Sequence, residues 1–72
     1  MGSREFGEYL RKLREAKRLS QSQLGKIIGV TDKAVSKWEN GYSYPKNIYI
    51  LRLSETLNVS TTELLSRMYQ QE

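Results

Sequence analysis

The chain has 72 residues, a length that predicts one small domain, residues 1–72, near the lower limit at which a hydrophobic core alone supports a fold. It contains no Cys and no His, which excludes a disulfide framework, a thiolate site and the commonest metal ligand and general base. The net charge of +4 is uneven, because the segment 11–46 holds nine Lys and Arg against three Asp and Glu. Such a distribution is typical of proteins that bind a polyanion.

The first predicted element is an amphipathic helix over about 4–17. Its apolar residues follow the i, i+3, i+4, i+7 spacing of one buried stripe. The stripe consists of Phe6, Tyr9, Leu10 and Leu13. Arg18 stands where a glycine would end the helix most easily, so we expect mildly strained backbone there.

Two short helices are predicted next, over about 21–28 and 32–40. Ser20 is the expected N-cap of the first, and Gln23 three residues later completes a capping box. Thr31 is the expected N-cap of the second. Each cap lies between two apolar residues at the spacing of a hydrophobic staple, which strengthens both assignments.

Two glycines shape this helix pair. Gly29 supplies the left-handed backbone that a tight turn between helices needs. Gly25 lies inside a helix, where it costs roughly 1 kcal/mol relative to alanine. We therefore expect the third helix to approach closely at Gly25. The second helix is expected to bury Leu24, Ile27 and Ile28.

The third predicted helix has two unlike faces when it is drawn at 100° per residue. The face expected to meet the core contains Ala34, Val35 and Trp38. The opposite face contains Lys33, Ser36, Lys37 and Asn40, with Asp32 and Glu39 at the edges. Two lysines four residues apart repel each other in an isolated helix, so this face makes sense if an anion binds it. A helix of this size fits a DNA major groove.

A loop over 41–46 is predicted from its Gly, Ser and Pro content, followed by a fourth helix over about 47–57. The fourth helix is expected to bury Ile50, Leu53, Ser54 and Leu57 and to leave Ile48 and Leu51 outside. A fifth helix begins after Ser60, its expected N-cap in a capping box with Glu63. Its apolar positions are Leu64, Leu65 and Met68, and it is expected to fray over 69–72. The predicted fold class is all-α, a compact bundle of five short helices.

The stretch 20–41, continuing to Pro45, resembles the helix-turn-helix of the Cro/C1-type family of DNA-binding proteins, also called XRE or phage repressor-like. The matching residues are Gln21, Leu24, Gly25, Ile28, Gly29, Val30, Val35, Trp38, Glu39, Asn40 and Gly41. Gly25 departs from the usual alanine, and Asp32 departs from an uncharged hydrogen-bonding residue. The resemblance implies a lambda repressor-like domain that binds double-stranded DNA as a transcriptional regulator, with its third helix in the major groove.

The resemblance also implies which residues contact DNA. Lys33 and Lys37 are expected to reach base edges, where lysine donates to guanine O6 or N7. Asp32 has two open roles, accepting from a cytosine amino group or only complementing the helix N-terminus. The remaining candidates, expected at or near the phosphate backbone, are Gln21, Thr31, Ser36, Asn40, Tyr42, Tyr44 and Lys46. For the loop tyrosines, an exposed position without any such role is an equal alternative.

One helix reads only a few base pairs, so the resemblance predicts a weak or DNA-induced homodimer. The residues expected to form it are Ile48, Leu51, Leu65, Met68 and Tyr69. The rival hypothesis is a protein-interaction module, or an antitoxin-like partner of another protein, built on the same small helical fold. The sequence assembles no catalytic constellation, so we expect no enzyme activity, no metal and no cofactor. Without a membrane span or signal peptide, we expect a cytoplasmic protein and no membrane partner.

Overall fold

The computed structural model describes residues 2–69, which form five α-helices and one short 3₁₀ helix. In chain order these are α1 (Gly2–Ala16), α2 (Gln21–Ile28), α3 (Asp32–Glu39), the 3₁₀ helix (Asn47–Tyr49), α4 (Ile50–Leu57) and α5 (Thr61–Met68). The predicted all-α class with five short helices is confirmed. Residues 70–72, part of the segment predicted to fray, lie outside the described residues.

A single hydrophobic core lies where α3 packs against α1 and α2 and where α5 packs against α1 and α4. Its buried apolar residues are Phe6, Leu10, Leu24, Ile28, Val35, Trp38, Ile50, Leu53, Leu57, Leu64 and Met68. The prediction for Ile27 is wrong, because this side chain is 44% exposed. Leu24 and Ile28 stand one turn apart and fill the inner row of an eight-residue helix, so Ile27 falls on its outer side. Within residues 2–69, no helix has the length and apolar character to cross a membrane.

The predicted caps at the entries to α2 and α3 are confirmed. Ser20 Oγ accepts from the Gln23 amide at 3.0 Å, and Gln23 Oε1 accepts from the Ser20 amide at 2.8 Å. Thr31 Oγ1 accepts from the Ala34 amide at 3.2 Å. Each bond satisfies an amide that the first helical turn leaves without a partner, so both helices begin at fixed residues.

At α5 the predicted capping box forms only in half. Ser60 Oγ accepts from the Glu63 amide at 2.9 Å, as expected of an N-cap. The Glu63 carboxylate instead accepts from Arg67 Nε at 3.2 Å, one turn further along the same helix. The opposite charge of Arg67 competes with the Ser60 amide for this carboxylate, which corrects the expected reciprocal bond.

Left-handed backbone occurs where the chain turns sharply between helices. Gly29 has φ +96° and donates its amide to Gly25 O at 2.7 Å, which closes the turn between α2 and α3 as predicted. Arg18 has φ +59°, so the strained end expected after the first helix is confirmed. Asn58 adopts φ +61° after α4, a conformation that asparagine tolerates better than most residues.

Two glycines allow backbone segments to approach closely. A Cβ at Gly25 would lie 2.7 Å from the Val30 carbonyl oxygen and 3.2 Å from Thr31. The close approach predicted at Gly25 therefore exists, but its partner is the turn before α3 and not α3 itself. Gly7 on α1 plays the same part at the other end of α3, where a Cβ would overlap the Glu39 carbonyl and lie 2.7 Å from the Trp38 carbonyl oxygen.

Two element boundaries differ from the prediction. The expected fourth helix over 47–57 begins with a 3₁₀ turn, and regular α-helix starts only at Ile50. The third helix ends at Glu39, with Asn40 as its C-cap and Gly41 at φ +82°. In the loop between α3 and the 3₁₀ helix, Pro45 is fully buried, so this part of the loop packs against the core.

Candidate nucleic-acid interface

The helix α3 separates its packing face from its polar face. Val35 and Trp38 are buried, whereas Lys33 and Lys37 are exposed on the opposite side. This arrangement confirms the predicted orientation of the helix. Because the two lysines take no part in the core, their ammonium groups are available to an outside anion without a change in packing.

The N-terminal end of α3 carries two further candidates. Thr31 is exposed and accepts from the Ala34 amide, which leaves the proton of its hydroxyl for another acceptor. Asp32 is exposed in the first turn, where its carboxylate complements the positive end of the helix dipole. This position agrees with the simpler of the two roles considered for Asp32, and a base contact stays a prediction.

The C-terminal end of α3 carries Ser36 and Asn40, one turn apart on the polar face. Asn40 Nδ2 donates to Ser36 Oγ at 3.2 Å, and Asn40 is exposed while Ser36 is half-buried. The bond orients the Asn40 amide relative to the helix. The structure thus brings the four polar-face candidates, Lys33, Ser36, Lys37 and Asn40, onto one continuous surface.

Glu39, predicted at the edge of α3, is instead the buried acceptor of an ion-pair network. Only 2% of its surface is exposed. Arg14 Nε donates to Glu39 Oε2 at 2.6 Å, and Arg14 Nη2 donates to Oε1 at 3.0 Å. The hydrogen bond to Glu39 raises the pKa of Arg14, against the opposing effect of burial. This bidentate pair joins α1 to α3 through two charge-assisted hydrogen bonds.

Gln21, the first residue of α2, joins the same network. Its Nε2 donates to Glu39 Oε1 at 3.0 Å, and the residue is half-buried. Gln21 is therefore not a freely solvated residue at the start of α2. Since a side-chain amide carries two N–H donors, one remains for a phosphate oxygen. The phosphate contact itself stays a prediction.

The loop candidates divide into exposed and packed side chains. Tyr42 is 80% exposed and Lys46 is exposed, so both are accessible to a ligand. The Tyr44 ring packs edge-on against Phe6, with centroids 5.6 Å apart and an interplanar angle of 67°. Tyr44 is half-buried beside the core and does not occupy the open loop position considered for it.

The network around Glu39 contains residues that the sequence prediction missed. The sequence prediction treats Arg11 and Arg14 only as positive charges of the 11–46 segment. Arg14 is buried, and Arg11 Nε lies 3.8 Å from Glu39 Oε1. The available signal is an acid within a segment that holds three acids among nine bases, and 25 residues separate Glu39 from its main partner, Arg14. Helical periodicity carries no information on a pairing at that distance.

Comparison with known proteins agrees with this geometry. A family model described as helix-turn-helix matches residues 10–64. The chain is 42% identical over 62 residues to the HTH-type transcriptional activator BcrR of Enterococcus faecalis, a match that covers 86% of this chain and 30% of that protein. It is 35% identical over 65 residues to the repressor protein C2 of Salmonella phage P22, covering 90% of this chain and 30% of that protein. The crystal structure of the P22 c2 repressor in complex with a synthetic operator superposes with a TM-score of 0.77 at 36% identity, over 82% of this chain and 89% of that one.

The chain spans about 30% of the length of the first two curated relatives, so it matches one part of each. The family match, in contrast, extends over most of the chain and includes α2, the turn at Gly29 and α3. The resemblance predicted from the stretch 20–45 is confirmed. The chain belongs to the Cro/C1-type helix-turn-helix family.

Proposed function

We propose that this domain binds double-stranded DNA in a sequence-specific manner, with α3 in the major groove, and acts as a transcriptional regulator. The observation that carries the proposal is the polar face of α3, on which Lys33, Lys37 and Asn40 are exposed while the opposite face of the helix is packed into the core. A helix held in this way can enter a groove of B-DNA as a rigid body. The basic segment 11–46 surrounds it with the charge that DNA binding requires.

The comparisons support the same function. One relative is named as a transcriptional activator, another as a repressor, and a solved neighbour at 36% identity is bound to an operator. We propose no enzyme activity for this chain. A regulator of this kind works where the DNA is, which places it in the cytoplasm of a bacterial-type cell.

The proposed contacts fall into two classes. Lys33 and Lys37 donate to base edges. Asp32 either accepts from a cytosine amino group or only complements the positive end of the α3 dipole. The phosphate class contains Gln21, Thr31, Ser36, Asn40, Tyr42 and Lys46, which are exposed or half-buried. Phosphate contacts fix the position of the protein and base contacts supply the sequence preference, so variants of the two classes have different effects.

We also propose that two copies bind one site as a weak or DNA-induced dimer. Ile48, Leu51 and Tyr69 are exposed, and the exposed fraction of Ile48 is 77%. Leu51 and Tyr69 line a groove between α4 and α5. This groove has a volume of about 400 Å³ and is lined by Asn47, Ile50, Leu51, Thr61, Leu65 and Tyr69. Met68, included in the expected dimer surface, is buried in the core and is removed from it. The remaining apolar area is small, which favours a weak association.

The test begins with selection of bound sequences from random duplex DNA, followed by fluorescence anisotropy on the enriched sequence at several salt concentrations. We expect enrichment of a pseudo-palindrome with half-sites about one helical turn, roughly 34 Å, apart. Displaced counterions should make the affinity fall steeply with salt. Sedimentation should find mostly monomer without DNA and two chains per duplex with it.

The variant Lys37→Ala separates DNA binding from folding, because it removes a proposed base contact without changing the core. It should bind the enriched sequence less tightly while it keeps the fold. If no sequence is enriched and no duplex binds at low salt, the DNA-binding proposal is wrong and the protein-interaction module takes its place. One chain per duplex at saturation would refute the dimer alone.

A further inference from the structure

We propose that Arg11 on α1 contacts a DNA phosphate, and that the buried carboxylate of Glu39 holds its guanidinium in place for that contact. This inference rests on the proposed DNA binding and adds to it a residue outside the helix-turn-helix. The observations that carry it are the balance of charge around Glu39, the exposure of Arg11, and the hollow that Arg11 shares with Asn40 and Tyr42.

The charge of Glu39 is already matched by Arg14. Arg14 forms two short hydrogen bonds to the carboxylate, one to each oxygen, and both side chains are buried. A second guanidinium, that of Arg11, stands near the same Oε1 atom at 3.8 Å. One carboxylate cannot neutralise two guanidinium groups, so the cluster of Arg11, Arg14 and Glu39 keeps one net positive charge. That charge lies at the surface, on Arg11.

The distance from Arg11 to Glu39 leaves the Arg11 guanidinium able to donate to a second acceptor. At 3.8 Å, its Nε is attracted by the carboxylate but lies beyond hydrogen-bonding distance of Oε1. The side chain of Arg11 is 47% exposed. A guanidinium carries five N–H donors in a planar fork that matches two phosphate oxygens. Arg11 is therefore oriented by a fixed charge and still able to donate to an outside anion.

The surroundings of Arg11 connect it to the proposed interface. A surface hollow of about 420 Å³ lies between α1 and the end of α3, and it is lined by Arg4, Glu8, Arg11, Glu39, Asn40 and Tyr42. Asn40 and Tyr42 are both proposed phosphate contacts. Gln21, at the start of α2, is joined to the hollow through its bond to Glu39 Oε1. A strand of DNA that follows Gln21 and Asn40 therefore passes Arg11 as well.

The acidic residues of the hollow do not cancel this attraction. Glu39 is covered by Arg14, which leaves Glu8 as the one acid of the lining that opposes Arg4 and Arg11. With Arg14 included, the group carries three positive charges and two negative ones. A phosphate entering the hollow thus meets a net positive charge and the amide of Asn40 at its edge.

The test compares Arg11→Gln with Lys12→Gln on the sequence enriched by selection. Both variants remove one positive charge from neighbouring exposed positions of α1, so a difference between them reports local contact and not the overall field. We expect Arg11→Gln to weaken binding roughly tenfold, as the loss of a charge-assisted hydrogen bond does, and Lys12→Gln to weaken it far less. The loss should be equal on specific and non-specific duplexes, since phosphates carry no direct sequence information.

Salt dependence and modified DNA give two further measurements. The slope of log K against log salt should become shallower by about 0.9 per chain for Arg11→Gln, and Arg11→Lys, which keeps the charge, should retain most of the wild-type slope. A series of duplexes with a single neutral methylphosphonate should contain one position that weakens the wild type but not Arg11→Gln. Melting temperatures should agree within a few degrees, because Arg11 is exposed and forms no hydrogen bond with Glu39, whose charge Arg14 already pairs.

The outcomes separate the two proposals. If the wild type binds no duplex, DNA binding is refuted and the Arg11 contact with it. If the wild type binds and Arg11→Gln loses no more affinity than Lys12→Gln, the Arg11 contact is refuted and DNA binding stands. A loss confined to one base pair of the site would also contradict a phosphate contact.

Discussion

The pairing of Glu39 with Arg14 predicts opposite outcomes for a single and a double substitution. Glu39→Ala leaves the Arg14 guanidinium buried without its carboxylate, and breaking a buried pair in this way costs about 3–5 kcal/mol. At roughly 0.05–0.15 kcal/mol per residue, a domain of this length has a total stability of about 4–11 kcal/mol. We therefore expect the single variant to lose a large part of the stability of the domain.

The double variant Arg14→Met, Glu39→Leu removes both charges and replaces them with apolar side chains of similar reach. It should recover most of the lost stability, because replacement of a whole buried pair is often neutral or stabilising. It should remain about 1–2 kcal/mol below the wild type, because two further bonds are lost. Arg14 Nη1 donates to the Leu19 carbonyl oxygen at 2.8 Å, and Gln21 Nε2 donates to Glu39 Oε1 at 3.0 Å.

The assay is urea unfolding followed by the fluorescence of Trp38, the single tryptophan of the chain, which lies in the core. The free energy of unfolding in water is compared for the wild type, for Glu39→Ala and for the double variant. The single variants Arg14→Met and Glu39→Leu are measured alongside them. The reasoning is refuted if Glu39→Ala loses less than about 1 kcal/mol, a value typical of exposed ion pairs. It is equally refuted if the double variant is as unstable as the two single variants added together.

Three further predictions follow from the described contacts. Trp38→Ala should lower the free energy of unfolding by about 3–5 kcal/mol through loss of a large core side chain, whereas Lys37→Ala should leave the melting temperature within a few degrees and weaken specific DNA binding. Lys33→Ala should relax the preference at one base pair, worth about 1–3 kcal/mol, while Gln21→Ala should weaken binding to all duplexes alike, and a set of operator variants measures both. Burial, followed by the nearby Glu63 charge, raises the pKa of Tyr9 above 10.0, so the folded state keeps a proton that the unfolded state loses. The wild type should thus lose stability relative to Tyr9→Phe as pH rises through and above 10. The free energy of unfolding of both proteins is measured from pH 8 to 11, and a constant difference between them over that range would contradict the prediction.

The sequence predicted the parts of the fold that local chemistry controls. The caps at Ser20, Thr31 and Ser60 and the turn at Gly29 depend on residues within one helical turn of each other, and all four are found. The orientation of α3 also followed from local spacing, because the bulk of Trp38 and Val35 leaves one way to face the core.

Most of the misses depend on contacts with parts of the chain far away in sequence, whereas the half-formed capping box at α5 has a local cause, the competition of Arg67 for Glu63. Glu39 is charged and was placed at a helix edge, but Arg14 makes its burial favourable from 25 positions away. Ile27 is apolar, yet no other element packs against its side of α2 closely enough to bury it. Gly7 gave no signal at all, because the need for a missing side chain appears only when α1 crosses the end of α3.

The two glycine contacts at the ends of α3 have a consequence for how this domain can change during evolution or design. Gly25 meets the turn before α3, and Gly7 meets the carbonyl groups at its C-terminal end. The placement of the helix is thereby set by main-chain atoms, which every sequence shares, together with the inner row of Val35 and Trp38. The exposed positions 32, 33 and 37 take no part in this placement. A library that varies only these three positions should consist largely of folded proteins that differ in the DNA they select.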